Sequence, residues 1–296
     1  MVELTVNKGS EVMNYLLYIA ILPVVLLLAY IYKKDIHKEP GNILAKIFFF
    51  GVLTVIPAII LEIILAPFFP TENYNSIAKL FISVFVGVAL VEETVKWLVI
   101  KLIIYKNQHF DETFDGIVYA VFASLGFACI ENILYVLLGG AGTGVVRAIT
   151  AVPLHACTGI TMGYFIGKAK LCARNNDSSK EIANITLSLL VPTTIHTIYD
   201  FLVFTQKMEF IIIWVVFILI IYIVCFMLVK KSTRLNETTN SVPVTQAIPQ
   251  EENKQVMDNK TQNDQNVKTS KGLFCRYCGE KIDESNYCPY CGKENN

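Results

Sequence analysis

The sequence predicts an all-α polytopic membrane protein with about seven transmembrane helices, an intramembrane polar site and a small zinc-binding module at the carboxyl end. Three observations lead there. Apolar runs of about twenty residues, the length that crosses a bilayer, recur along most of the 296-residue chain. Hydrophobic residues make up 54% of the chain against 17% charged, and the mean hydropathy of +0.50 is high for a soluble protein. The last residues read "FCRYCGEKIDESNYCPYCGKENN", with two C-x-x-C-G knuckles.

The spans expected are residues 14–32, 43–69, 78–104, 114–138, 146–167, 183–205 and 209–229. The first lacks a strongly basic leader and is followed by Lys33 and Lys34, so it should stay as a span and not be cleaved as a signal peptide. The second contains Pro57 and Pro67, which predict a tilt, a kink or an early end. The third and sixth are interrupted by polar residues. The fifth carries Gly159, Gly163 and Gly167 at intervals of four, a stripe that lets helices approach closely.

Basic residues orient the set. Lys33, Lys34, Lys38, Lys106, Lys168, Lys170, Arg174, Lys180, Lys230, Lys231 and Arg234 fall on one side. Lys8, Lys79, Arg147 and Lys207 fall on the other, one per segment. The expected orientation is a cell-membrane protein with its amino terminus outside and its carboxyl terminus in the cytosol. The formal net charge is zero and the basic residues scatter between spans, so the lipid bilayer is an expected partner of the membrane domain and nucleic acid is not.

The domain division follows composition: 1–231 is the membrane domain, 232–272 a linker and 273–296 the terminal module. The linker is polar and has no aromatic residue, so it cannot bury enough apolar surface to order itself. Its flexible reach is roughly 35 Å. In the module, Cys275, Cys278, Cys288 and Cys291 suit one tetrahedral, structural zinc with no open position. Two disulfides are the bland alternative, disfavoured in a reducing cytosol. The stretch resembles the short bacterial zinc ribbons, and the sequence assigns the ribbon no partner. Cys129, Cys157, Cys172 and Cys225 read as small apolar fillers.

Charges inside the spans ask for an explanation, because each costs about 2.5–3.5 kcal/mol at mid-bilayer on insertion scales. The third span holds Glu92, Glu93 and Lys96. Glu92 and Lys96 are four apart and can pair on one helix face; Glu93 points about 100° away and needs something else. The fourth span adds Glu131 and Asn132, the fifth His155, the sixth His196 and Asp200. Counting about 1.5 Å per residue from the outer ends puts Glu131, His155 and His196 roughly 10–14 Å deep and Glu92 about 21 Å. The bland readings are an ion pair between helices for Glu92–Lys96, a packed core histidine for His155 or His196, and a helix–helix hydrogen bond for Asn132. A shared polar cavity explains all of them at once, with the glycine stripe turning His155 toward protein.

These residues resemble the PrsW family of intramembrane proteases and, more distantly, the CAAX-processing and bacteriocin-processing protease superfamily. The motifs are E-E-x-x-K from Glu92 to Lys96, F-x-x-x-E from Phe127 to Glu131 continued by Asn132, His155 with Gly159, and H-x-x-x-D from His196 to Asp200. The resemblance implies an endopeptidase acting on a membrane protein, with an anti-sigma-factor-like regulator as the substrate class. The expected catalytic residues are Glu92, Glu93, Glu131, His155 and His196, supported by Lys96, Asn132 and Asp200.

Peptide hydrolysis needs an activated water, a carbonyl polariser and a proton donor for the leaving amine. Either Glu92 or Glu93 is the expected base, with His155 and His196 holding the water or the oxyanion and Asp200 fixing the tautomer of His196. The scheme favoured is metal-free. Its rival is a zinc metalloprotease with Glu131, His155 and His196 as ligands. Two readings of another class stay open. A proton-coupled transporter also uses intramembrane carboxylates and histidines, although no internal repeat is evident. A non-enzymatic membrane sensor would use the ribbon to bind a partner.

Overall fold

Helices stop where proline, glycine or a capping side chain ends them. In the computed structural model, which describes residues 2–72, 74–239, 273–274 and 281–282, α1 (Val2–Lys34) ends on two lysines, cations suited to a helix carboxyl end. Pro40 precedes α2 (Gly41–Leu53). The ring of Pro57 clashes with the carbonyl four residues back, that of Leu53. The helix breaks there at Thr54, whose hydroxyl donates to the Gly51 carbonyl at 2.6 Å, and resumes as α3 (Val55–Leu65). The span expected at 43–69 therefore ends at Leu65, two residues before Pro67.

The next segment begins with α4 (Ile77–Val84), whose Ser76 hydroxyl accepts from the Lys79 amide at 3.2 Å. It continues through a π-helical stretch Phe85–Ala89, α5 (Leu90–Val99) and a second π-helical stretch Ile100–Ile104. π-Helical turns are rare and cluster at functional sites; this pair brackets Glu92, Glu93 and Lys96. Helix α6 (Thr113–Ile149) starts with a reciprocal cap between Glu112 and Asp115. It breaks at Gly140, whose φ of 75° and ψ of −170° suit glycine alone. Helices α7 (Ala151–Arg174), α8 (Ser178–Phe204) and α9 (Met208–Thr239) complete the set. The fifth span, expected from 146, starts at Ala151, because 146–149 belong to the arm of α6 beyond Gly140. Helix α9 continues eight residues into the expected linker.

Helix α6 sits at the centre, buried on every side from Phe114 to Val121 and packed by α1, α2 and α7. Its contact with α7 is backbone on backbone: a Cβ on Gly163 would lie 2.2 Å from the Gly116 carbonyl oxygen, and one on Gly167 2.2 Å from that of Thr113. The stripe of the fifth span is this contact surface. The rising residue numbers of one helix meet the falling numbers of the other, so α6 and α7 run antiparallel. Outside the core, α1, α3 and α9 present exposed Leu22, Ile63 and Ile212. Helices that are apolar toward both core and surroundings are suited to lipid.

Five stretches among the described residues are long and apolar enough to cross a membrane: Val12–Lys34, Gly41–Leu65, Thr113–Arg174, Ser178–Phe204 and Met208–Thr233. This differs from the seven expected for two physical reasons. Residues 77–104 are helical but too charged, with Glu92, Glu93, Lys96 and Lys101. The expected fourth and fifth spans fall in one 62-residue stretch, interrupted at Gly140 and Thr150.

The chain divides into two units, Met1–Thr233 and Arg234–Asn296. In the second, Leu273–Phe274 pairs antiparallel with Lys281–Ile282, Leu273 opposite Ile282. Cys275, Cys278, Cys288 and Cys291 lie outside the described residues, as does the linker from 240 to 272. Cys129, Cys157, Cys172 and Cys225 are free thiols.

Candidate active site

The site grows from one turn of α5. Lys96 is fully buried, and its ammonium has three donors to place. They go to Glu92 Oε2 at 3.1 Å, Glu93 Oε1 at 2.9 Å and Nδ1 of His155 at 3.1 Å. The expected Glu92–Lys96 pair is present, and the expectation that Glu93 points away and needs another partner is corrected in part: the four-carbon stem reaches the residues three and four before it, and the Glu93 contact is the shorter. The Phe127 ring from α6 lies under the ammonium, 4.2 Å from centroid to Nζ, a cation–π contact that helps hold a desolvated charge.

Each histidine is fixed on both sides. An ammonium only donates, so Nδ1 of His155 accepts and its Nε2–H donates to Glu131 Oε2 at 2.8 Å. For His196, Nδ1 meets Glu93 Oε1 at 2.9 Å, while Nε2 meets Asp200 Oδ2 at 3.2 Å and Glu92 Oε2 at 3.9 Å. Asp200 therefore shares the orientation of His196 with Glu93, where the sequence had given that role to Asp200 alone. The two imidazoles stand edge to face with centroids 5.4 Å apart.

A cavity of about 840 Å³ opens beside this network. Glu62, Glu92, Glu131, His155, His196 and Asp200 reach it, between walls that include Phe127, Tyr135 and Trp214. Its lining extends to Phe69 and Thr71, beyond α3, and to Gln206 and Lys207, between α8 and α9. The expectation that all five catalytic candidates line one cavity is corrected at one residue. Glu92 lines it; Glu93, wholly buried, stands behind with Lys96. The Glu93 Oε2 atom is sealed from solvent with no hydrogen-bond partner among the described residues.

The remaining predicted residue, Asn132, is turned away from the cavity. Its Nδ2 donates to the Ala20 carbonyl of α1 at 3.0 Å and its Oδ1 accepts from Nε of Arg147 at 3.1 Å. Arg147 also places Nη2 2.9 Å from Glu131 Oε2 and stacks its guanidinium over the Tyr135 ring at 3.9 Å. Sequence reasoning counted Arg147 only as a loop charge. It also passed over Glu62, a lone carboxylate in the apolar run "VIPAIILEIIL"; the cost argument applied to Glu131 applies equally there.

Metal-ligand atoms of Glu92, His155 and His196 all lie within 4.8 Å of one another, and the three residues are buried. That set can hold an ion. Glu131 is instead engaged by His155 and Arg147.

Known proteins match this chain closely. The sequence profile described as "PrsW family intramembrane metalloprotease" covers residues 39–229. The chain is 39% identical over 219 residues to Protease PrsW of Oceanobacillus iheyensis, covering 74% of this chain and 95% of that protein. It is 38% identical to Protease PrsW of Bacillus subtilis over 183 residues, 62% of this chain and 79% of that protein. Protease PrsW of Clostridioides difficile is 34% identical over 214 residues, 71% of this chain and 85% of its own length. No solved structure matches. The matched profile spans the helices that carry Glu92, Glu131, His155 and His196, and the chain belongs to the PrsW family of intramembrane proteases.

Proposed function

We propose that this intramembrane protease cleaves a membrane-anchored regulator of the anti-sigma-factor type with a water activated by Glu92. The observation that carries the assignment is the division between neighbours: Glu92 reaches the cavity, and Glu93 is sealed behind it. Glu92 takes a proton from the attacking water and returns it to the leaving amine. His196, at the cavity wall between Glu92 and Asp200, donates to the oxygen of the tetrahedral intermediate. Lys96 and Glu93 position Glu92, His155 and His196 from behind. Glu131 holds His155 in the tautomer that leaves Nδ1 to accept from Lys96.

A second reading has one observation in its favour, the convergence of Glu92, His155 and His196. Those three residues would hold a divalent ion, which would supply Lewis-acid polarisation of the carbonyl and a more acidic water. Against it, the Lys96 ammonium already stands 3.1 Å from both Glu92 Oε2 and His155 Nδ1. Like unit charges about 4 Å apart repel by about 4 kcal/mol at an effective dielectric constant near 20. The metal-free scheme is the one adopted.

The orientation proposed places the amino terminus outside and the ribbon in the cytosol, with a structural zinc on its four cysteines. Residues 77–104 and both long arms of 113–174 are assigned as crossings, which makes seven. On that orientation the cavity faces outward, since its lining reaches the connections after α3 and after α8, both on the lysine-poor side. A substrate cut near its outer membrane boundary fits such access.

The test is cleavage of a reporter carrying a single membrane anchor by the purified protein. Glu92→Gln should slow it by about 10²–10⁴-fold, since glutamine keeps the shape and loses the base. Cleavage at the wild-type rate by that variant sinks the mechanism.

A further inference from the structure

One face of α3 forms a wall of the cavity. Val55, Ala58, Ile59 and Glu62 line it, at the intervals of three and four that set residues on one side of a helix. The other side carries exposed Ile60, Leu61, Ile63 and Ile64, suited to lipid. The lone ionisable residue of α3 is therefore on the side where a peptide would lie, and not on the side facing lipid. Glu62 is half-buried and stands three residues before the end of α3 at Leu65, about 4.5 Å along the axis. Beyond that end the lining continues to Phe69 and Thr71.

The other carboxylates facing the cavity each have a partner. Glu92 has Lys96 at 3.1 Å, Glu131 has Arg147 at 2.9 Å and His155 at 2.8 Å, and Asp200 has His196 at 3.2 Å. The charges that act on Glu62 include Glu92 and Glu131, which repel it, and Lys96 and His196, which attract it. Neither attractor is available to it. Lys96 gives its three donors to Glu92, Glu93 and His155, and His196 is held between Glu93 and Asp200. Arg147 is engaged by Glu131 and Asn132. Lys207 lines the cavity from the exposed segment between α8 and α9, and no ion pair joins it to Glu62 among the described residues.

Water in the open cavity can solvate such a carboxylate. A bound peptide expels that water, and a dry, unpaired charge is strongly disfavoured. An apolar or acidic substrate side chain would strand it; an ammonium or guanidinium would cancel it. A site of this kind selects by rejecting the wrong partner as much as by attracting the right one.

We propose that Glu62 determines substrate specificity by receiving a lysine or arginine side chain of the membrane-anchored substrate close to the cleaved bond. Substrates that offer no cation there are cut poorly. The proposal rests on the cavity being the place of cleavage. Glu62 takes no part in activating the water, which stays with Glu92.

The experiment uses the full-length protein in detergent free of aminolipid, so that only the substrate offers an ammonium. Single-anchor reporters carry lysine, or glutamine instead, at each position flanking the cleaved bond in turn, with the bond located by mass spectrometry. The quantity measured is kcat/KM. In the wild type, lysine should be preferred over glutamine by about tenfold at one of these positions, the scale of a hydrogen bond to a charged group. Glu62→Gln should erase that preference, and Glu62→Asp, which keeps the charge, should retain part of it. Removing a charge from a membrane helix eases insertion, so the glutamine variant is expected to fold. Absence of any lysine preference in the wild type, or a preference that survives Glu62→Gln, overturns the proposal. Equal loss on lysine and glutamine reporters in Glu62→Gln also overturns it, because Glu62 then serves the chemistry or the fold and not the choice of substrate. Glu92→Gln is measured alongside: cleavage at the wild-type rate by that variant removes the catalytic assignment, while the lysine-to-glutamine ratio still decides the role of Glu62.

Discussion

Glu92 and Glu93 are adjacent in sequence and unlike in surroundings. One reaches a cavity; the other supports Lys96 and His196 from a closed pocket. Replacing either with glutamine should therefore have different costs. Glu92→Gln is expected to lose about 10²–10⁴-fold in cleavage rate, as for removal of a general base, with a smaller fall in melting than Glu93→Gln, since Lys96 keeps Glu93 and His196 keeps both of its nearer carboxylates. Glu93→Gln leaves a buried ammonium and imidazole short of charge, and losing one partner of a buried pair costs on the order of 3–5 kcal/mol. Thermal melting beside reporter cleavage separates them, and equal melting of both variants would show that the two carboxylates are not divided as described. The sequence marked most of the polar set, because a charge in an apolar run announces itself by cost; Glu62, which stands in such a run and reaches the cavity, was overlooked. The sequence did not contain the division, since a helix places neighbours about 100° apart without saying which direction faces the void. Arg147 escaped for another reason: its position depends on a chain reversal that no periodicity encodes.

At the scale of helices, the glycine stripe was legible because spacing by four marks one face, and α7 uses that face against α6. The break at Thr54 was also legible, from Pro57. The alternation of α- and π-helical turns in 77–104 was not, for the residues there carry no proline and only Gly87. Close approach of α6 and α7 joins Glu131 to His155 at 2.8 Å, so the packing has a chemical readout. Gly163→Leu would put a Cβ 2.2 Å from the Gly116 carbonyl oxygen, forcing the backbones apart by roughly an ångström to reach ordinary contact. We expect loss of cleavage and a lower melting temperature. Gly142→Ala, where an added Cβ meets nothing within 4 Å, should leave both unchanged, and a comparable loss there would point to a general intolerance of the scaffold.

For the whole molecule, the membrane unit is expected to work without the terminal module. A chain ending at Thr239 keeps α9 complete and should cleave a minimal reporter at a rate within about threefold of the full chain, since a four-cysteine zinc has no open position. Full-length protein should carry about one zinc per chain and the shortened one none. A tightly held zinc that persists in the shortened chain and disappears with His155→Ala and His196→Ala would favour the metal reading. Orientation has its own check: Asn240→Cys should react with an impermeant thiol reagent only after cells are lysed. One feature at this scale constrains how the family member can change over time. Arg147 lies 16 residues after Glu131, about 24 Å away on a straight helix, yet the two touch at 2.9 Å. The reversal at Gly140 makes that contact, and nothing crowds its missing side chain, so a substitution there strains only the backbone, by on the order of 1–3 kcal/mol. Adding a single residue between Gly140 and Arg147 is different: it turns the arginine by about 100° around its arm and away from Glu131. Position 140 can therefore change at lower cost than the length of the stretch can, while Gly144, whose added Cβ would meet Ile19 and Val136 at 2.7 and 2.8 Å, is held to its residue as well.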